Sequence, residues 1–80
     1  MVYRVQVEAD RDFKKADFTI ATIYERTKYP CFREKGDGWW RVYCGSFESR
    51  ENAEKRLAEI VKEFKKDRKF QNAFIREVEV

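Results

Sequence analysis

There is no histidine among the 80 residues. That removes the commonest general base, the commonest zinc ligand and every Ser-His or Cys-His nucleophile. Two cysteines without histidine do not build a zinc site. Glycine occurs three times and proline once, so there is no phosphate-cradling GxxxxGK[ST] loop and no Pro/Gly-rich linker. No apolar run nears the roughly 18 residues of a membrane span. The opening Met1-Val2-Tyr3-Arg4-Val5 enters a strand pattern at once, unlike a signal peptide. Acidic residues are scattered beside Lys and Arg, as surface ion pairs are, and no isolated carboxylate pair points to glycosidase chemistry. The expectation is a non-enzyme with no cofactor, no metal and no membrane contact.

What the chain has in excess is aromatic rings. Seven Phe, four Tyr and two Trp exceed the needs of one thin core, so some are expected at the surface as contact groups. The formal charge is +3 although 41% of residues are charged. That mild basic bias suits an anionic or neutral polymer and does not by itself argue for nucleic acid. Residues 1–80 read as one domain, and the abrupt ends suggest a module of a longer protein.

Self-similarity organises the chain. Tyr3-Arg4-Val5-Gln6-Val7 matches Trp40-Arg41-Val42-Tyr43-Cys44 at an offset of 37, giving an internal repeat over 3–37 and 40–80. At the same offset Ala16, Ile20, Ile23 and Tyr24 fall on Ala53, Leu57, Ile60 and Val61, and both sets have helical spacing. Cys31-Phe32-Arg33 then matches Ala73-Phe74-Ile75 after about five extra residues around Phe64 to Lys69. Each half reads strand, helix, strand.

The strands are expected over 3–9, 31–35, 39–45 and 72–79. Asp12 and Ser49 are N-cap residues, Pro30 blocks the first helix, and Gly36-Asp37-Gly38 forms a tight hairpin. The cationic stretch 62–69 reads as a solvated helix end. The order β-α-β-β-α-β predicts a ferredoxin-like α+β fold. Its four-stranded antiparallel sheet has the first and third strands central, two helices on one face and the other face open.

That open face is the candidate ligand surface. Alternation puts Arg4, Gln6 and Glu8 on it from the first strand, and Trp39, Arg41 and Tyr43 from the third. Phe32, Phe74 and Arg76 join from the edge strands. Rings with Arg and Gln on a shallow sheet suit a glycan, whose C–H faces stack on aromatics and whose polar edges bond amides and guanidinium groups. Taken singly, Phe32 or Phe74 serves equally well as core. Exposure is expected for Arg4, Gln6 and Tyr43. In the plainer reading Trp40, not Trp39, is the buried member of its pair. Phe18 lies off the helical stripe and is expected to be partly covered by a loop.

The cysteines leave two readings. A two-residue Asp37-Gly38 turn sets Cys31 opposite Cys44, where a disulfide can form. The simpler expectation is two small buried apolar residues equivalent to Ala73 and Val7, because a one-residue change in the turn abolishes the pairing.

The segment from Trp40 to Glu54, a strand ending in Gly45-Ser46-Phe47 before a capped helix, resembles the SPOR (sporulation-related repeat) family. Tyr3 to Ala9, with Gln6, is similar to that family's first strand, and Ala73 to Val78 to its last. The resemblance implies a peptidoglycan-binding module that takes glycan strands stripped of stem peptides. It would target a lytic enzyme such as an N-acetylmuramoyl-L-alanine amidase, of sporulation or phage endolysin type, or a cell division protein, to the wall. It implies an extracytoplasmic, cell-wall location, with Gln6 among the glycan contacts. Glu8 and Asp10 depart from the pattern, and Glu8 is expected to put an opposing carboxylate beside the groove.

Two other classes share the element order. An RRM-like single-stranded RNA-binding domain uses aromatics on the same face, but the third strand lacks the RNP1 run. A protein-interaction or dimerisation module would use an edge strand or the aromatic face.

Overall fold

A computed structural model describes Met1–Val80 throughout. The elements are β1 (Val2–Asp10), α1 (Phe13–Thr27), β2 (Phe32–Gly36), β3 (Trp39–Phe47), α2 (Arg50–Glu63), α3 (Arg68–Gln71) and β4 (Phe74–Val78). All strand pairs are antiparallel in the order β2-β3-β1-β4. The two longest strands are therefore central, as the sequence predicts, and the molecule is a slab of 30 × 30 × 20 Å.

Local chemistry sets the boundaries. Asp12 caps α1 by accepting from the Lys14 N–H, and Ser49 caps α2 by accepting from the Asn52 N–H. Helix α1 stops before Pro30 is reached. Lys28 turns left-handed at φ 63°, and its N–H closes the helix on the Tyr24 carbonyl. In the β2–β3 hairpin, Asp37 and Gly38 both take positive φ, the two-residue turn that matches strand twist.

One core lies between the sheet and the helices. Val5, Val7, Val42 and Cys44 meet Ala16, Ile23, Ala53, Ile60 and Phe64 there. The inner stripe of α1 differs from the expected one in a single place. Thr19 is fully buried, whereas Tyr24 is half exposed under the Lys28 ammonium group. Phe18 is 72% exposed, so no loop covers it.

The stretch expected to be a solvated helix end contains a structural element instead. Asp67 caps the short α3, and Phe70 enters the core, its ring 4.4 Å from that of Phe64. A single aromatic after a run of cations carries no helical periodicity, which is why the sequence did not mark it.

The cysteines are corrected as well. Cys31 and Cys44 form a disulfide across the hairpin, and neither is free. The two-residue turn that this pairing required is the one present.

Candidate functional site: the uncovered sheet face

The register of β1 against β3 decides which side chains reach the uncovered face. From the Arg4–Ser46 pair to the Gln6–Tyr43 pair, β1 advances two residues and β3 three. From there to the Glu8–Val42 pair, β1 advances two and β3 one. Two bulges thus sit back to back, one on each central strand, and the second restores the register lost at the first. Gly45 makes the bulge on β3, at φ 114°. A side chain there would be strained, and its Cβ would fall 2.5 Å from the Phe47 ring.

The β1 bulge overturns the strict alternation expected from the sequence. Glu8 pairs with Val42, a core residue, and so points to the helix side. Its Oε1 lies 2.7 Å from Lys69 Nζ, which also donates to the Thr19 hydroxyl on α1. Its Oε2 is buried without a partner. The carboxylate expected beside the groove lies beneath the sheet. Asp10, the other departure, accepts from the Asp12 N–H and shapes the turn into α1.

The bulges bring Phe32, Tyr43, Gln6 and Phe74, one from each strand, into a single row of paired positions. Three strand spacings of about 4.8 Å make that row about 14 Å wide. Beside it runs Ser46, Arg4 and Arg76; on the other flank run Glu34, Arg41 and Ala9. Trp39 lies at the hairpin end opposite Gly36, with the Arg11 guanidinium 4.8 Å from its ring. All eight predicted residues, Arg4, Gln6, Phe32, Trp39, Arg41, Tyr43, Phe74 and Arg76, therefore share this face.

They do not share the expected exposure. Tyr43 is 3% and Gln6 7% exposed, although no helix covers them. Their neighbours do. The Phe32 ring lies 5.4 Å from Tyr43, and the Arg4 guanidinium stacks 5.3 Å and 5.2 Å from the two ring centres. Arg4 is held there by Glu34 at 3.1 Å. Phe74, Trp39 and Arg76 remain exposed. Trp40, on the opposite parity, faces the helix side with the Arg33 guanidinium 4.5 Å over its ring.

Two guanidinium groups of the face make long hydrogen bonds. Arg41 Nη1 donates to the Gly36 carbonyl at 3.3 Å. A Cβ on Gly36 would come 2.9 Å from that nitrogen, so the bare backbone is what lets Arg41 lie across it. Arg76 Nη1 donates to Gln6 Oε1 at 3.5 Å. Below the sheet, Arg56 of α2 stacks 3.8 Å from the Tyr29 ring and 5.2 Å from that of Phe47, and donates to the Cys44 carbonyl. Burial lowers its pKa from the ordinary guanidinium value.

Sequence reasoning missed Glu34 and Ser46. Glu34 was readable, since it shares parity with Phe32 on β2. Ser46 reaches the face only through the Gly45 bulge, and Arg11 lies beyond β1 with no periodic signal.

The face is shallow. The hollows of the surface lie elsewhere, one of about 560 Å³ by Arg26, Phe64 and Arg68 and one of about 270 Å³ by Tyr29 and Glu59. None of the eight face residues lines either. No group of three potential metal-ligating side chains occurs, and no helix is long and apolar enough to cross a membrane.

Comparison with known proteins fits this geometry. No curated protein matches the chain. Among solved structures, it is similar to the solution structure of the peptidoglycan binding domain of the B. subtilis cell wall lytic enzyme CwlC. The TM-score is 0.71 at 25% identity, over 94% of this chain and 86% of that one. The SPOR domain family matches residues 2–76, from the start of β1 to Arg76 on β4. With four antiparallel strands, an uncovered sheet face and a match across nearly its whole length, the chain belongs to the SPOR domain family.

Proposed function

We propose that the uncovered face binds glycan strands of peptidoglycan, and that the chain is a non-catalytic module holding a larger protein at the cell wall. The carrying observation is the row Phe32, Tyr43, Gln6, Phe74, which crosses all four strands on one uncovered face. Exposed Phe74 and Trp39 offer ring faces for the C–H sides of sugars. Gln6 and the flanking guanidinium groups supply donors and acceptors for hydroxyl, acetamido and carboxylate groups. Family membership and the likeness to the CwlC domain support the same ligand class.

Two features add to this reading. Glu8 does not oppose an anionic strand, because it is turned beneath the sheet and paired with Lys69. The Cys31–Cys44 disulfide suits an oxidising compartment, which supports a location outside the cytoplasm.

The test is co-sedimentation with purified sacculi. The chain is expected to pellet with them, and more strongly after an amidase has stripped the stem peptides. Gln6→Ala combined with Phe74→Ala is expected to weaken retention about tenfold or more, while circular dichroism shows the fold unchanged. Failure to pellet with either preparation would sink the proposal. Unaltered retention of the double variant would place the site on another face.

A further inference from the structure

The charges on the uncovered face do not balance. Arg4 and Arg76 are directly opposite each other on β1 and β4. Arg4 nonetheless turns away from Arg76, its guanidinium lying over the Phe32 and Tyr43 rings. Arg4 has its counter-ion in Glu34, on the far side of the row on β2. Arg76 has none. It takes part in no ion pair of the molecule, and its one side-chain bond is a long contact to the neutral Gln6 carbonyl. Most of the other arginines are engaged. Arg26, Arg33 and Arg50 form salt bridges, and Arg56 is stacked between two rings. Arg76 is thus an exposed guanidinium beside Gln6, without a counter-ion, at the rim of the aromatic row.

We propose that Arg76, opposite Arg4 and next to Gln6, is the residue that reads an anionic substituent on the bound strand. Resting on the glycan reading above, that substituent is the lactyl carboxylate of muramic acid. In an intact strand this carboxyl group is tied up as the amide of the stem peptide and is neutral. Once the peptide is removed it becomes an anion on every second sugar. The planar guanidinium fork matches a carboxylate bidentately and gains little from an amide. A sugar seated on Phe74 and Gln6 would bring such a group toward Arg76, two residues along β4 from Phe74. The anion also supplies the counter-ion that Arg76 lacks within the molecule. Arg76 is therefore a specificity residue, separate from the rings that bind the sugar itself.

The experiment uses soluble peptide-free glycan oligomers in two forms, one with free carboxylates and one with the same carboxylates converted to methylamides. Binding is followed by tryptophan fluorescence. The intact chain is expected to bind the free acid about tenfold more tightly than the methylamide, a preference that shrinks as salt is raised. Arg76→Gln is expected to bind both forms alike, at the affinity the intact chain has for the methylamide. Arg76→Lys is expected to retain part of the preference. If the intact chain binds both forms equally, the proposal is overturned while glycan binding stands. If Arg76→Gln keeps the full preference, the carboxylate is read elsewhere. If the intact chain binds neither form, the glycan reading itself has failed.

Discussion

Replacing Cys31 and Cys44 together by serine is expected to destabilise the domain by about 3 kcal/mol. The bond closes a loop with a sequence separation of 13, for which the lost chain entropy of the unfolded state is of that order. In a domain of this size each kcal/mol moves the melting temperature by about 4–8 °C. The variant should therefore melt roughly 12–24 °C below the parent. Thermal melts with and without a reductant check this. The reduced parent should match the variant, and a melting temperature indifferent to both would show that the bond contributes nothing. The effect should reach the site, because the disulfide joins the residues beside Phe32 and Tyr43. At temperatures where both forms are folded, the variant should bind glycan more weakly, through a looser β2 edge.

Phe70→Ala is expected to cost about 3–5 kcal/mol, the range for a buried aromatic truncated to alanine. Phe70 is 2% exposed and packs on Phe64, where α2 ends and the chain turns toward β4. An 80-residue domain has a total stability of roughly 4–12 kcal/mol, so this one change removes a large share of it. Urea denaturation followed by circular dichroism gives the number. A loss below about 1 kcal/mol would mean that α3 is peripheral and that the core is complete without it. The same variant should loosen Lys69, the residue before it, and with it the pairing that holds Glu8 beneath the sheet.

The architecture was readable in the sequence because its signals are local and periodic. Asp12 and Ser49 mark helix starts, Asp37-Gly38 marks the hairpin, and alternation marks the strands. These put Arg4, Gln6, Trp39, Arg41 and Tyr43 on one face, while Phe32 and Phe74 stayed open between that face and the core. What alternation could not carry was a break in its own period. At the offset of 37 that aligns the two halves, Glu8 falls on Gly45, and both positions lie at bulges. Gly45 signals its bulge by being glycine at positive φ. Glu8 gives no such sign, so its burial beneath the sheet depends on Lys69, a partner 61 positions later in the chain. Exposure was unreadable for a related reason. Tyr43 is covered by Phe32 and Arg4, side chains of its own face, and only the assembled sheet brings those together. The disulfide hung on turn length, which sequence narrows but tertiary pairing decides.

The most direct test of glycan binding across this sheet is a titration of the ¹⁵N-labelled chain with soluble peptide-free glycan, followed by amide chemical shifts. The shifts are expected at Gln6, Phe32, Tyr43, Phe74 and Arg76, at the Gln6 side-chain amide and at the Trp39 indole, with the outer faces of α1 and α2 unmoved. Shifts gathered instead around Arg26, Lys65 and Arg68 at the helix ends, or none at saturating glycan, would contradict it.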